Sequence, residues 1–427
     1  MSKKIELILK EALEDITPSE EESSLIKVSL KKFLEKIKKR LRELKVDAEI
    51  FVGGSYAKNT LIKRDKYDID IFLRFDKKHK ETMQDLTEKI LEDFDRTSKI
   101  HGSRDYFNTE INSKIFFEIV PVLKVKSPEF AENTTDLSYL HVKYINKKIK
   151  SSRLLDEIKI AKAFCYANNC YGAESYIKGF SGYGLELLVC YYGSFRKFID
   201  TIIKSKENQK IIIDIEKCHK NKSEVLMNLN SSKLQSPIIL IDPTYKQRNV
   251  LAALSEETFQ KFKKECVSFL KNPSINAFRQ KKLDFESKTK SAGKRDYETV
   301  LLKIYTNKPE GDVAGSKLLK FYDHFQNEIK KFFELKDKGF EYGGKKSARF
   351  FLNVKNKKEV IIRGPYKKDK KNLEEFKKKH KKIFEKSGKV YSKKKIDFNL
   401  KEFIKSWKEK NKGKMKDMHI ERLEIIK

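Results

Sequence analysis

The stretch Tyr67–Phe75 constrains the fold more than any other part of this sequence. It reads YDIDIFLRF. Because successive side chains of a strand point to opposite faces, its alternating apolar residues share one face. Asp68 and Asp70 share the other, roughly 6.6 Å apart along the backbone. Two like charges this close suppress each other's ionisation unless a cation is bound near them. The pattern predicts a half-buried strand with a candidate divalent-ion site.

The neighbouring segments favour a catalytic role for these aspartates over an ordinary exposed strand face. A predicted strand over 48–52 ends at a glycine pair, and Gly54 and Ser55 form a tight turn that can bind a triphosphate. A further predicted strand over 114–125 carries Glu118 among apolar residues, where an unpaired charge would be hard to explain. Glu118 would be the third carboxylate of an all-oxygen site suited to Mg²⁺.

The rest of the chain predicts helices and a break between domains. Thr17 is the expected N-cap of a long amphipathic helix, and apolar spacing predicts one continuous helix over about 184–199. Further helices are expected over about 154–168, 255–271 and 316–335. The polar stretch 285–299 predicts a linker. We therefore expect an α+β multidomain protein.

Charge points to an anionic partner. The chain carries a net charge of +33, and a field of that size attracts polyanions. Residues 341–427 contribute 30 Lys and Arg against 12 Asp and Glu, and their basic residues alternate with aromatic ones, as in nucleic-acid-binding surfaces. The candidates that we select for RNA binding are Arg349, Arg363, Lys367 and Lys368.

Two classes of protein are disfavoured. The sequence contains no apolar run of the roughly 18 residues that a membrane span needs, and its first residues do not resemble a signal peptide. The five cysteines form no Cys-x-x-Cys pair, which argues against a zinc ribbon and a disulfide framework. We expect a cytoplasmic protein with no membrane partner.

Several segments together resemble the archaeal-type (class I) CCA-adding enzymes, which are tRNA nucleotidyltransferases of the polymerase-β-like superfamily. These are GGSYAKNTL and DIDIFLRF in 53–75, FFEIVPVLKV in 116–125, GFSGYGLELLVCYYGSF in 179–195 and DPTYKQRNVLAALS in 242–255. The resemblance implies a nucleotidyltransferase head with a mixed or antiparallel sheet (1–146), a helical central domain that closes the nucleotide pocket (147–255), an α/β body (256–335) and a basic tRNA-binding tail (336–427).

The resemblance also assigns residues. Asp68, Asp70 and Glu118 would be the catalytic carboxylates and the ligands of two Mg²⁺ ions, although the family commonly has Asp at the third position. Nucleotide contacts would come from seven residues. These are Gly54, Ser55, Ser138, His141, Lys162, Tyr171 and Arg248. At Ser138 the family has Thr.

The implied reaction adds C, C and A to the 3′ end of tRNA from CTP and ATP, without a nucleic-acid template, and releases pyrophosphate. The expected RNA contacts lie on the acceptor and T arm, and a homodimer is left open. Two alternatives share these features: a non-templated poly(A) polymerase or oligoadenylate synthetase on the same fold, and a catalytically silent RNA-binding protein.

Overall fold

The computed structural model describes residues 2–102, 104–206, 209–280, 285, 297–380 and 382–426. The chain divides into two compact units, 1–281 and 282–427, here called unit 1 and unit 2. Most of the predicted linker over 285–299 lies outside the described residues, and 297–299 begin a strand of unit 2. The four-part division predicted above is finer than these two units and stays a prediction.

Unit 1 contains a five-stranded sheet, a small three-stranded sheet and a set of helices. Its helices are α1 (Ser2–Ile16), α2 (Glu20–Glu43), α3 (Gly54–Ala57), α4 (Met83–Leu91), α5 (Ser138–Lys148), α6 (Ser152–Ala167), α7 (Gly182–Tyr192), α8 (Phe195–Lys204), α9 (Lys222–Asn228) and α10 (Glu256–Lys271). Its strands are β1 (Ala48–Val52), β2 (Tyr67–Phe75), β3 (Thr97–Ile100), β4 (Tyr106–Glu110), β5 (Ile115–Leu123), β6 (Ile211–Ile213), β7 (Ile238–Asp242) and β8 (Tyr245–Asn249).

The five-stranded sheet is mixed, with the order β1-β2-β5-β4-β3. β2 is antiparallel to β1 but parallel to β5, so the predicted strands are confirmed and lie side by side. The apolar face of β2, which includes Ile69 and Ile71, packs with α2 and α4 in one core. Phe33 of α2 lies 4.7 Å, ring to ring, from Phe117 of β5. Burial of that face leaves the opposite one available for polar groups.

A second core joins the helices that follow the sheet. It is built on α6, α7, α8 and α10 and contains several fully buried aromatic rings, such as Phe164, Phe180 and Phe262. Helix α1 packs into this core through Ile5, Ala12 and other residues on one face. The first helix of the chain is therefore part of the helical core and not of the sheet core.

The N-terminus of the long helix differs from the predicted one. Ser19, not Thr17, is the N-cap of α2: the backbone N–H of Glu22 donates to its hydroxyl, and the Glu22 carboxylate accepts from the N–H of Ser19, both at 3.1 Å. The Thr17 hydroxyl instead donates to the carbonyl of Leu13 at 2.6 Å, at the end of α1. Two overlapping Ser/Thr-x-x-Glu patterns are present, and the later one forms the capping box.

The prediction of a single helix over 184–199 is wrong, because two helices occupy this stretch. Helix α7 ends at Gly193, whose φ of 79° lies in the left-handed region that favours glycine. Ser194 then caps α8 by accepting from the N–H of Lys197. The helical spacing of apolar residues continues across the break, which is why the sequence pattern did not reveal it.

Unit 2 contains two antiparallel sheets with the orders β10-β11-β9-β15 and β12-β14-β13. Its strands are β9 (Tyr297–Thr306), β10 (Phe333–Tyr342), β11 (Ser347–Asn356), β12 (Glu359–Tyr366), β13 (Ile383–Lys386), β14 (Lys389–Lys395) and β15 (Ile420–Ile425). Its helices are α11 (Asp312–Phe332), α12 (Lys370–Lys379), α13 (Leu400–Lys410) and α14 (Lys412–Asp417). The larger sheet shares one core with α11 and α13, centred on Phe321, Phe325 and Trp407.

The described residues were also searched for membrane-spanning helices. Among them, no helix combines the length and the apolar composition that crossing a bilayer requires.

Candidate active site

The three predicted carboxylates lie on the polar face of two neighbouring strands. Asp68 and Asp70 are on β2, and the parallel register pairs Asp70 with Glu118 of β5. Their side chains interact electrostatically, since the charges of Asp68 and Asp70 both raise the pKa of Glu118. Within the described residues, no three His, Cys, Asp or Glu side chains form a group that could hold a metal ion. Strand pairing thus brings the carboxylates close without converging them on one point.

Burial makes these carboxylates hard to ionise. The pKa of Asp70 is raised to about 6, first by burial and then by the charge of Asp68, while the nearby Lys58 opposes the shift. Burial also raises the pKa of Asp68, against the charges of Arg64 and Lys66, and raises that of Glu118 well above its usual range. Positive charge near the three side chains would favour their ionised forms.

The glycine loop lies directly against the aspartates. The Gly53 N–H donates to the carbonyl of Asp70 at 2.8 Å. Gly54 has a φ of +61°, and a Cβ placed on it would lie 1.7 Å from Oδ2 of Asp70. Only glycine fits this position, both for its conformation and for the approach of the carboxylate. Ser55 follows in α3 and starts the turn that the Thr60 N–H closes onto its carbonyl at 2.9 Å.

A buried ionic cluster adjoins the carboxylates. Glu186 of α7, fully buried, accepts from the ammonium groups of Lys58 at 2.6 Å and Lys162 at 2.7 Å. Thr60 donates to the same carboxylate at 2.8 Å and accepts from Lys162 at 2.7 Å. Burial raises the pKa of Glu186, but the two lysines together outweigh burial and lower this pKa to about 2. Two ammonium groups around one carboxylate leave one positive charge, close enough to Asp70 to lower its pKa.

A second buried carboxylate organises the other predicted nucleotide contacts. Asp242, at the end of β7, accepts from the Arg248 guanidinium at 2.7 Å and lies 3.1 Å from Nε2 of His141. Tyr183 donates to it at 3.2 Å and stacks on the His141 ring at 4.1 Å between centroids. Burial alone would raise the pKa of Asp242, yet His141 and Arg248 hold it well below its usual range. Burial lowers the pKa of His141.

The two remaining predicted nucleotide contacts belong to this region as well. Tyr171 is partly buried beneath the Arg64 guanidinium, which lies 5.0 Å from its ring centroid. Burial raises the pKa of Tyr171, and the charges of Lys58 and Asp70 also act on it. Ser138 begins α5, one helical turn before His141. The predicted residues thus divide between the carboxylate strands, the Glu186 cluster and the Asp242 cluster.

Sequence reasoning missed the residues that connect these groups. They are Lys58, Thr60, Tyr183, Glu186 and Asp242, together with Glu174, whose charge raises the pKa of Glu118. A signal existed for two of them. Glu186 is the only charged residue of the apolar helix GYGLELLVCYY, and Asp242 ends the apolar strand IILID. A charge in such surroundings is costly without a partner.

The predicted RNA-binding residues all lie in unit 2. The Arg349 side chain pairs with Glu341 and lies 5.0 Å from the ring centroid of Phe285. Lys367 pairs with Glu385 at 2.9 Å. Lys368 lies 6.0 Å from the Tyr366 ring centroid, and Arg363 is on β12. Each is at least partly exposed, but two of the four already have acidic partners.

The Glu186 cluster yields a stability prediction. Glu186→Gln should lower the free energy of unfolding of unit 1 by about 3 kcal/mol or more, because it leaves two buried ammonium groups without a counter-charge. Asp200→Asn is the matched control, since it removes the carboxylate of an exposed pair with Arg196 and should cost less than about 1 kcal/mol. Urea denaturation, with amide exchange in α6 and α7 as the local probe, measures both. Equal losses in the two variants would contradict the role given to the buried cluster.

Two family models match unit 1. Residues 4–150 match a second messenger oligonucleotide or dinucleotide synthetase domain, and residues 156–279 match the second domain of tRNA nucleotidyltransferases. Among solved structures, Cid1 in complex with its short product ApU is similar with a TM-score of 0.51 and 14% identity, over 65% of this chain and 99% of that one. At this identity the likeness shows the fold, an α+β nucleotidyltransferase fold.

Curated relatives extend the match to both units. The CCA-adding enzyme of Methanocaldococcus jannaschii is 31% identical over 404 residues, which cover 91% of this chain and 87% of that protein. The CCA-adding enzyme of Nanoarchaeum equitans is 42% identical over 241 residues, 56% of this chain and 59% of that protein. With this extent of alignment, and with the carboxylate strands and glycine loop in place, the chain belongs to the family of archaeal CCA-adding enzymes, the tRNA nucleotidyltransferases.

Proposed function

We propose that this chain adds C, C and A in turn to the 3′ end of tRNA, from CTP and ATP and without a nucleic-acid template. The main support for the proposal is the register of β2 and β5, which pairs Asp70 with Glu118. The glycine loop lies directly against the Asp70 carboxylate. Asp68, Asp70 and Glu118 are the proposed catalytic residues. The substrates follow from the family, whose members named above are CCA-adding enzymes.

The carboxylates suit divalent ions, which enzymes of this family generally use. Asp68, Asp70 and Glu118 offer only oxygen ligands, as Mg²⁺ prefers, and burial raises the pKa of all three, so that a bound cation would favour their ionised forms. We infer that two Mg²⁺ ions bind there, once the three side chains turn toward a common centre. When bound, these ions would lower the pKa of the attacking 3′-hydroxyl and neutralise the leaving pyrophosphate.

The chain's own groups would position the nucleotide. Gly54 and Ser55 present backbone N–H groups and a hydroxyl toward the triphosphate. The net positive charge of the Glu186 cluster, which includes Lys162, lies near Asp70 and favours phosphate on the same side. Tyr171 supplies a hydroxyl at this edge of the site. Such fixed charges act in a largely buried setting, where they stabilise developing negative charge most effectively.

Base recognition is assigned to the Asp242 cluster. Asp242 binds one N–H of Arg248 and orients the guanidinium, so that its other N–H groups remain for a base edge or a phosphate. His141 is positioned by the same carboxylate and by its stacking on Tyr183. Ser138, one turn earlier on α5, is the remaining proposed contact. In this scheme Asp242 is a positioning residue for two nucleotide contacts.

The decisive test is an extension assay on a tRNA transcript that lacks its last three nucleotides. With Mg²⁺ and one labelled nucleotide at a time, we expect two C from CTP and then one A when ATP is present. The Asp68→Ala/Asp70→Ala variant should add nothing while its tRNA affinity in a gel shift stays nearly unchanged. Asp47→Ala/Asp95→Ala removes two exposed carboxylates and should retain activity.

Other outcomes of this assay would select a different function. Long A tails without C would identify a poly(A) polymerase or oligoadenylate synthetase. Binding of tRNA with no addition of any nucleotide would identify a catalytically silent RNA-binding protein.

The pKa of Asp70 yields a second prediction. Its folded-state value of about 6 lies above the ordinary value near 4, so the folded state binds this proton more tightly. The resulting stabilisation is present below about pH 4 and is lost as the pH rises through about 6. In EDTA, the free energy of unfolding should therefore fall between pH 4 and 7 by about 2 kcal/mol more in the natural protein than in Asp70→Asn.

Mg²⁺ provides the control for this pH dependence. Added at pH 7, it should raise the thermal midpoint of the natural protein more than that of Asp70→Asn, because the variant lacks one ligand carboxylate. Asp47→Asn should behave as the natural protein does. Identical pH profiles for the natural protein and Asp70→Asn would refute the assignment of a buried, proton-binding carboxyl.

Asp242→Asn tests the positioning role. Loss of a charged acceptor for Arg248 should lower kcat/KM for nucleotides about tenfold or more, and it should change the ratio of the values for CTP and ATP. A purely structural role would leave that ratio unchanged. Asp214→Asn is the matched control, because Asp214 likewise lies 3.1 Å from a histidine nitrogen, that of His219. Equal effects of the two substitutions would count against the proposal.

A further inference from the structure

The loop between α3 and β2 leads directly into the strand that carries the two aspartates. Backbone hydrogen bonds fix its second half. The Lys63 N–H donates to the carbonyl of Ile16 at 2.6 Å, and the Tyr67 N–H donates to the carbonyl of Lys114 at 2.7 Å. The side chains between these two bonds therefore have a defined position relative to Asp68, which follows on β2.

The guanidinium of Arg64, in this loop, is held by two aromatic rings. It lies 4.3 Å from the ring centroid of Tyr166 in α6 and 5.0 Å from that of Tyr171. The two rings are 6.4 Å apart, edge to face. Arginine stacks well on aromatic rings because its guanidinium is planar and weakly hydrated. The rings thus fix the guanidinium without using its N–H donors.

The donors of Arg64 have no acceptor in the described part of the chain. Its Nε is buried without a hydrogen-bond partner, and its guanidinium forms no ion pair with a carboxylate of these residues. A buried donor without an acceptor is costly. The side chain as a whole is only partly buried, so a ligand can reach it. The planar fork of a guanidinium matches the oxygens of a phosphate group, which makes a phosphate the ligand that Arg64 lacks.

Positive charge is divided between the two aspartates of β2. The charges of Lys58 and Lys162, in the Glu186 cluster beside the glycine loop, act to lower the pKa of Asp70. Arg64 is foremost among the charges that act in the same way on Asp68. Nucleotidyl transfer brings two anionic substrates to one centre, and each of them needs positive charge of its own. In the proposed function the glycine loop and the two lysines serve the triphosphate, which leaves Arg64 for the RNA.

We propose that Arg64 binds the last backbone phosphate of the RNA, the one next to the attacking 3′-hydroxyl. This inference rests on the proposed function, in which metal ions held by Asp68, Asp70 and Glu118 activate that hydroxyl. The last phosphate is the anionic group of the RNA nearest to the hydroxyl, so a cation beside Asp68 positions the reacting group through it. The triphosphate offers the same chemistry from a second source, and the Michaelis constants of the two substrates distinguish the sources.

Arg64→Gln should therefore affect the two substrates unequally. The KM for a tRNA transcript that lacks its last three nucleotides should rise about tenfold or more, because a charge-assisted hydrogen bond is lost, while the KM for CTP changes less than about twofold. Arg153→Gln removes an exposed arginine at the start of α6 and should leave both values unchanged. A raised KM for CTP with an unchanged KM for the RNA would overturn the assignment.

A neutral linkage in the RNA locates the contact. A methylphosphonate at the last linkage of the transcript removes that phosphate charge, and in the natural protein it should weaken binding about as much as Arg64→Gln does, roughly tenfold. In Arg64→Gln the same linkage should have little further effect, because two changes to one contact are not additive. The readout is the Kd from filter binding in Mg²⁺. A methylphosphonate several linkages away is the control, and additive losses at the last linkage would overturn the proposal.

Two further substitutions separate phosphate binding from packing against the tyrosines. Arg64→Lys keeps the positive charge and should recover part of the RNA affinity that Arg64→Gln loses. Arg64→Met fills a similar volume without charge and should recover none. Equal recovery in the two variants would show that Arg64 only packs against Tyr166 and Tyr171.

The Kd measurement needs no turnover, so failure of this inference can be told from failure of the proposed function. Additive losses in a protein that adds C and A would refute the phosphate contact of Arg64 but not the proposed function. Non-additive losses in a protein that adds neither nucleotide would refute the proposed function alone.

Discussion

The buried carboxylate of Glu186 is the interaction on which the candidate active site depends. It binds Lys58 and Thr60 from the loop that follows α3, and Lys162 from α6, while it is itself part of α7. Three segments of the chain therefore meet at two oxygen atoms that water does not reach. A buried ion pair is strongly destabilised when one partner is removed. The position of the glycine loop relative to the central helices is coupled to the ionisation of one glutamate.

The second constraint is a concentration of negative charge, in contrast to the net positive charge of the Glu186 cluster. The strands β2 and β5 place three carboxylates on the same face, where Asp68 raises the pKa of Asp70, and both aspartates raise that of Glu118. The Glu186 cluster compensates only part of this charge, through Lys58 and Lys162. A site built in this way has a strong attraction for cations on one side and for phosphate on the other. That polarity fits a reaction in which a metal-bound nucleotide is the substrate.

Much of the site could be predicted because its signals are local. Asp68 and Asp70 follow from the alternation of a single strand, and the restricted conformation of Gly54 follows from the turn after β1. Glu186 and Asp242 could not be assigned in the same way, since their partners lie up to 128 and 101 residues away in sequence.

Local patterns failed where two of them competed. The sequence at 17–22 contains two overlapping capping patterns, and only backbone geometry selects the one at Ser19. The break at Gly193 is hidden because apolar spacing continues from α7 into α8. The mixed sheet likewise packs against α2 and α4, and this packing cannot be predicted from any single segment of the sequence. Local propensity therefore located the elements, and long-range packing determined how they are joined.

The pairing of β15 with β9 has a consequence for the synthesis of the protein. The two strands are antiparallel neighbours, with Ile425 opposite Leu302, although more than a hundred residues separate them in sequence. The edge of β9 stays open on that side until residue 425 has left the ribosome. Such distant pairing slows folding and exposes an unpaired strand edge to other chains. During translation, the larger sheet of unit 2 can thus be completed only after β15 has been made, whereas unit 1 can fold earlier.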